Sequence, residues 1–159
     1  MDRRRSIGLA GLLVLGLLPP SPASAHSEPL DFVRKERQDR GFVDKSVWGA
    51  MARNRRELRR LWKRYEQKGP LPVIRFEKNV AVLAGTHGPG TCRPKLHDLR
   101  LNRERKKVVA RMYEEEHDGA CTADVVPRTF TVAVARADLK PLKPRELKVR
   151  ARRIDDPNG

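Results

Sequence analysis

Two cysteines, four histidines and a cluster of carboxylates are the residues of this 159-residue chain whose chemistry could go beyond packing. Cys92 and Cys121 lack the C-x-x-C spacing of a redox or metal pair, and they read as one disulfide. Closing a loop of that span would stabilise the fold by roughly 3–4 kcal/mol through the lost entropy of the unfolded chain. Paired in this way, neither sulfur can serve as a nucleophile. Ser27 and Ser46 are the only serines beyond residue 25, and neither lies in a G-x-S-x-G context. Glu114, Glu115, Glu116, Asp118 and Asp124 could hold a metal or form an acid/base pair, but such a charge run more often marks a solvated face. No catalytic residue and no cofactor are therefore assigned.

The histidines offer one sharper possibility. If a leader is removed after Ala25, His26 becomes the mature N-terminus and presents an amine and an imidazole to a single copper ion. A second histidine would have to complete that site, with His87, His97 and His117 as candidates. None stands at a motif-like spacing from His26, so an ordinary exposed terminal residue is the plainer reading. A copper-binding exported β-sandwich protein is kept as the alternative function.

The elements that must position these residues begin with a leader. Arg3-Arg4-Arg5, the apolar run Ile7 to Leu18 and the small residues Ala23-Ser24-Ala25 have the layout of a secretory signal peptide. The apolar run is shorter than the roughly 20 residues that a spanning helix needs. Residues 1–25 are thus set apart as signal peptide, 26–153 as one exported β-rich domain and 154–159 as a disordered tail. Export would also suit a disulfide. No transmembrane segment is expected once the leader is removed.

The chain is basic, with 35 lysines and arginines against 20 acids and a formal charge of +15. Such a balance favours polyanions: anionic lipid, an anionic cell-surface polymer, or nucleic acid without sequence preference. The plainer reading is solubility together with a compositional bias to arginine.

One helix is expected over Arg55 to Gln67. Asn54 is a good N-cap, Glu57 sits three residues on in a capping-box position, and Gly69-Pro70 ends the pattern. Leu58, Leu61, Trp62 and Tyr65 share one face. The other face carries Arg55, Arg56, Arg59, Arg60, Lys63 and Arg64. Arg55/Arg59, Arg56/Arg60 and Arg60/Arg64 are like-charged pairs one turn apart, each costing a few tenths of a kcal/mol. Tolerance of several such pairs points to an anion on that face, and Arg56, Arg59, Arg60, Lys63 and Arg64 are assigned as anion-binding. The anion could be internal, from Glu114 to Glu116, or external.

The rest reads as strands. Leu30 to Glu36 suits an edge strand and Ser46 to Ala52 a second. Val80 to Ala84 has few polar breaks, as in a strand buried on both faces. Gly85 to Thr91 reads as a loop, and Thr86, His87, Gly88, Pro89 and Gly90 are assigned as a partner-binding loop because binding residues concentrate on such segments. Lys95 to Arg103 and Lys106 to Glu115 form a hairpin, and His117-Asp118-Gly119 turns the chain into Cys121. Phe130, Val132 and Val134 alternate with Thr129, Thr131 and Ala133, and Glu146 to Arg152 supplies a last strand. The expected fold is mainly β, with sandwich-like antiparallel sheets, one packed helix and one disulfide.

Leu58-x-x-Leu61-Trp62, Pro72-x-x-x-Phe76, Val80-Ala81-Val82-Leu83-Ala84-Gly85 and Thr131-Val132-Ala133-Val134-Ala135-Arg136 together resemble exported bacterial β domains of the protease-complex subunit PrcB C-terminal type. The resemblance covers Leu58 to Arg136. It implies a β-sandwich with one helix, an accessory role beside an extracytoplasmic protease, and no catalytic residues. Where that family has a Thr-Gly-Gly-Tyr-like stretch, this chain has Gly88-Pro89-Gly90-Thr91-Cys92, with Cys121-Thr122-Ala123-Asp124 as the partner segment. The function expected from the sequence is a non-catalytic binding or accessory domain, its partner a protein or an anionic polymer or lipid.

Overall fold

A computed structural model describes residues 27–38, 47–114 and 119–155, the side chains of 34–38 excepted. The alternation of apolar and polar residues becomes two four-stranded sheets packed face to face, with one helix on the outside of the second. The strands are β1 (Ser27–Leu30), β2 (Phe32–Gln38), β3 (Val47–Ala52), β4 (Asn79–Gly88), β5 (Pro94–Asn102), β6 (Lys107–Glu114), β7 (Val126–Ala135) and β8 (Lys148–Arg153), with helix α1 (Arg55–Arg64) after β3. One sheet has the order β1-β5-β6-β8, the other β2-β7-β4-β3.

The expected first strand, Leu30 to Glu36, is in fact two. Leu30 pairs with Leu99 in one sheet, and Phe32 pairs with Val134 in the other. The chain changes sheets at Asp31, which lets Leu30 reach the core while Phe32 packs against it from the facing sheet. At the opposite corner β3 comes close to β8. A Cβ on Gly49 would lie 2.8 Å from Val149 Cγ1 and 3.1 Å from the Arg150 backbone, so only glycine permits this approach.

The main core lies between the sheets. Val80, Val82 and Ala84 of β4 and Phe130, Val132 and Val134 of β7 face Leu99 and Leu101 of β5 and Val108, Ala110 and Met112 of β6. In β5 the inward residues are Leu96, then Leu99 and Leu101. That change of parity is absorbed by a register shift between Leu96 and Asp98, a β-bulge that puts both parts of the strand's apolar set inside. Leu139 and Leu147, from the connection after β7, close the core.

A second cluster explains why β4 has so few polar breaks. Its outward Ala81 and Leu83 are covered by Leu58 and Trp62 of α1 together with Trp48 and Ala52 of β3. Leu58 is fully buried, which is worth about 1.5–3 kcal/mol for a side chain of that size. The helix starts as its sequence indicates, with the Asn54 side chain accepting from Glu57 N–H at 2.8 Å. The reciprocal bond differs by one residue: Glu57 Oε2 accepts from Arg53 N–H at 2.8 Å. The helix ends at Arg64 rather than Gln67. Glu66 takes a positive φ of 49°, Glu66 N–H donates to Lys63 O and Gln67 N–H to Trp62 O, closing a Schellman turn before Gly69 is reached.

Three further differences follow from long-range pairing. β8 runs parallel to β6, from Lys107↔Lys148 to Met112↔Arg153, so one pairing in the otherwise antiparallel framework is parallel. Ile154, placed in the tail by sequence, donates its N–H to Met112 O at 2.8 Å, while 156–159 lie outside the described residues. Residues Thr86 to Gly88, expected in a loop, belong to β4 and pair with Arg128, Pro127 and Val126.

Candidate anion-binding surfaces

The cysteine pair is joined: Cys92 and Cys121 form a disulfide that ties the turn before β5 to the segment after β6, across a sequence separation of 29. Polar bonds beside it hold the same two segments. Thr122 N–H donates to Thr91 Oγ1 at 2.9 Å, and Gly90 N–H donates to Asp124 Oδ1 at 3.1 Å. Hydrogen bonds from Thr122 and from Gly90 hold the Asp124 carboxyl below its ordinary pKa. Asp124 is therefore a clamp for the Gly90 turn. Of the five residues assigned to a partner-binding loop, Thr86 is wholly buried in the sheet, Gly88 is buried and His87 is half-buried in β4; Pro89 and Gly90 form the turn.

Gly85 is not a loop hinge either. A Cβ there would lie 2.1 Å from Trp48 Nε1 and 2.2 Å from Cε2, because the indole lies flat over the glycine. Trp48 also stacks on Tyr65 at 3.6 Å between ring centroids, so Gly85, Trp48 and Tyr65 form one stack that docks α1 on β3 and β4.

Among the described residues no group of three or more His, Cys, Asp or Glu converges on one point. Glu114 pairs with Arg153 at 2.9 Å. Glu115, Glu116, His117 and Asp118 lie outside the described residues, as does His26, the proposed copper ligand. His97 meets Tyr113 edge to face, with ring centroids 5.9 Å apart.

The arginines separate into groups that composition cannot distinguish. Some are staples. Arg136 donates to Phe76 O at 2.9 Å and to Arg53 O at 2.7 Å; the buried Arg128 donates to Pro94 O at 3.2 Å; Arg153 reaches Thr86 Oγ1 and His87 O; Arg103 reaches Asp138 O, Lys140 O and Glu28. A guanidinium's fixed fork suits such bonds to backbone carbonyls left over at strand ends.

The α1 group is different. Arg55, Arg56, Arg59, Arg60, Lys63 and Arg64 are all exposed, and among the described residues none has an acidic partner. Of the internal partners weighed for them, Glu114 to Glu116, Glu114 pairs with Arg153, and Glu115 and Glu116 lie outside the described residues. Beside the helix, Met51, Arg53, Glu57, Arg60, Leu61 and Arg64 line a shallow groove of about 290 Å³.

A third group was missed in the sequence. On the outer face of the β1-β5-β6-β8 sheet, an open groove of about 560 Å³ is lined by Arg100, Arg105, Lys107, Arg111, Arg150 and Arg152, together with Ser27, Asn102, Val109 and Ala151. Two of its arginines share an acid. Asp98 accepts from Arg111 Nε at 2.7 Å, from Arg111 Nη2 at 2.6 Å and from Arg100 Nε at 3.1 Å. Burial opposes its charge most strongly, yet the bonds and charges of Arg111 and Arg100 together hold the carboxyl below its ordinary pKa. The signal for this surface was the two-residue repeat Lys148, Arg150, Arg152. It became a surface only once β8 was known to lie beside β6.

Comparison of the chain with protein-family models, with curated proteins and with solved structures finds no match. Among the described residues no helix is long and apolar enough to cross a membrane.

Proposed function

We propose that this protein is a non-catalytic binding or accessory module that works outside the reducing cytoplasm and uses the basic face of α1 to engage an anionic surface. One observation carries the reading: six cations on ten helical residues, all exposed and without an acidic partner among the described residues, on a helix whose opposite face is fixed in the fold. Their mutual repulsion costs helix stability that an external anion would recover. The disulfide supports an oxidising compartment, as does the leader-like N-terminal pattern. The motifs resembling PrcB-type domains add an association with an extracytoplasmic protease as the accessory role.

The test is a triple variant, Arg56→Gln, Arg60→Gln and Arg64→Gln, which removes one stripe of the face and leaves Leu58 and Trp62 in place. Binding to vesicles containing anionic lipid should weaken several-fold and lose part of its salt dependence. The melting temperature should hold or rise, since two like-charged pairs worth a few tenths of a kcal/mol each are gone. A lower melting temperature with unchanged binding would make the face structural and overturn the reading.

A further inference from the structure

We infer that the outer face of the β5-β6-β8 sheet is a second, separate site, and that it holds the backbone of an extended phosphodiester chain by charge alone. Cross-strand register places Arg111 directly opposite Arg152 and Lys107 directly opposite Lys148. Like charges directly opposite one another destabilise a sheet, and among the described residues Lys107, Arg150 and Arg152 have no acidic partner. Asp98 holds Arg111 and Arg100 in fixed orientations and leaves that trio a net cation. The repulsion is accordingly built in, and the orientation of two of its members is built in with it.

The spacing selects the ligand. Neighbouring strands lie about 4.8 Å apart, so Arg152, together with the Nη1 that Asp98 leaves to Arg111, can take one tetrahedral anion between the two strands, each using a different free oxygen. The carboxylate of Asp98 already takes bonds from both Arg111 and Arg100, while Arg150 and Arg152 are left without an acidic partner among the described residues. Along β8, Lys148, Arg150 and Arg152 recur every second residue, about 6.6 Å apart, forming rows on which a linear chain can lay successive charges. Between these cations the lining is completed by Val109, Ala151, Ser27 and Asn102. Among the described residues the groove lining holds no aromatic ring; Tyr113, two residues beyond Arg111 in β6, meets His97 outside it, so the groove itself grips backbone charge rather than a base. Among the described residues the large exposed apolar side chains, Val33, Val73 and Val125, are not among those lining the groove, so its lining offers no large exposed apolar side chain to a bilayer.

The experiment follows a fluorescent oligothymidylate and an abasic phosphodiester chain of equal length by anisotropy across a salt series. Both should bind the unaltered protein with similar affinity. Arg150→Gln with Arg152→Gln should weaken both about tenfold or more and lower the salt slope by roughly 0.7 per cation removed. Arg150→Lys with Arg152→Lys keeps the charge and loses the forks, and should fall between the two. If the glutamine pair fails to melt cooperatively, Arg105→Gln with Lys107→Gln reads the same groove from its other side. Unchanged binding in the glutamine variants overturns the inference. Tighter binding of a sulfated glycan at equal charge overturns it too, as does loss of vesicle binding with oligonucleotide binding retained. The α1 triple variant should leave oligonucleotide binding nearly unchanged. Failure here with vesicle binding still dependent on α1 would leave the function proposed above intact.

Discussion

Gly85 shows how a residue's type can be read correctly as special and wrongly as to why. In the sequence it closes an apolar strand and opens a stretch of glycines, a pattern that suits a loop. In the structure it lies within β4, and what requires glycine is the indole of Trp48 lying 2.1–2.6 Å from where a Cβ would stand. No short-range pattern joins positions 48 and 85; their register across β3 and β4 does. Gly85→Ala should therefore displace the indole and its stack on Tyr65, costing about 1–3 kcal/mol as overpacking usually does. Thermal melting checks the size of the loss. Combining it with Trp48→Ala checks the cause, because the two losses should be well short of additive if the clash is the mechanism. The staple arginines give the same lesson. Arg136 and Arg128 counted toward net charge in the sequence, yet their partners are carbonyls of Phe76, Arg53 and Pro94, which only the folded chain brings near.

At the scale of elements, what was legible was local. Asn54 with Glu57, the i, i+3, i+4, i+7 stripe, and the alternation of Phe130, Val132 and Val134 each depend on neighbours within a few residues, and each became the element expected. Elements decided by distant partners were not legible. The split of the first strand at Asp31, the continuation of β4 to Gly88 and the parallel seat of β8 all depend on pairing across more than thirty residues. The helix end lies between these cases. Gly69 looked like the stop, but the chain turns at Glu66, whose φ of 49° is a left-handed conformation that a residue with a Cβ adopts only at a cost. An acidic side chain also sits poorly at the negative end of the helix dipole. Glu66→Gly should then stabilise the protein by about 0.5–1 kcal/mol, visible as a higher melting temperature, with the capping bonds to Lys63 O and Trp62 O kept. A lower melting temperature would mean that Glu66 has a role outside the turn.

For the whole molecule, the disulfide has to be weighed against the two sheets. The large buried side chains, Phe130, Leu99, Leu101 and Met112 among them, lie between the sheets, where they hold the strands together without help from the cysteines. Cys92 and Cys121 join segments at one end of the β5-β6 hairpin, in a region also tied by the Thr91–Thr122 and Gly90–Asp124 bonds. The bridge acts on the unfolded chain through a separation of 29 residues, and on the native state by fixing the Pro89–Cys92 turn against the Cys121–Asp124 segment. Cys92→Ser with Cys121→Ser should thus cost roughly 3–4 kcal/mol of global stability while the sheets still form. The unaltered protein, denatured without reductant, should titrate with almost no free thiol. Hydrogen exchange separates the two effects in the double variant. Amides of β4 and β7 should lose protection only as far as global stability falls, whereas Gly90, Thr91 and Thr122 should exchange by local opening well before the core does. Equal protection losses in both regions would mean that the bridge supports the sheets themselves, and that the turn it anchors has no separate freedom to be restrained.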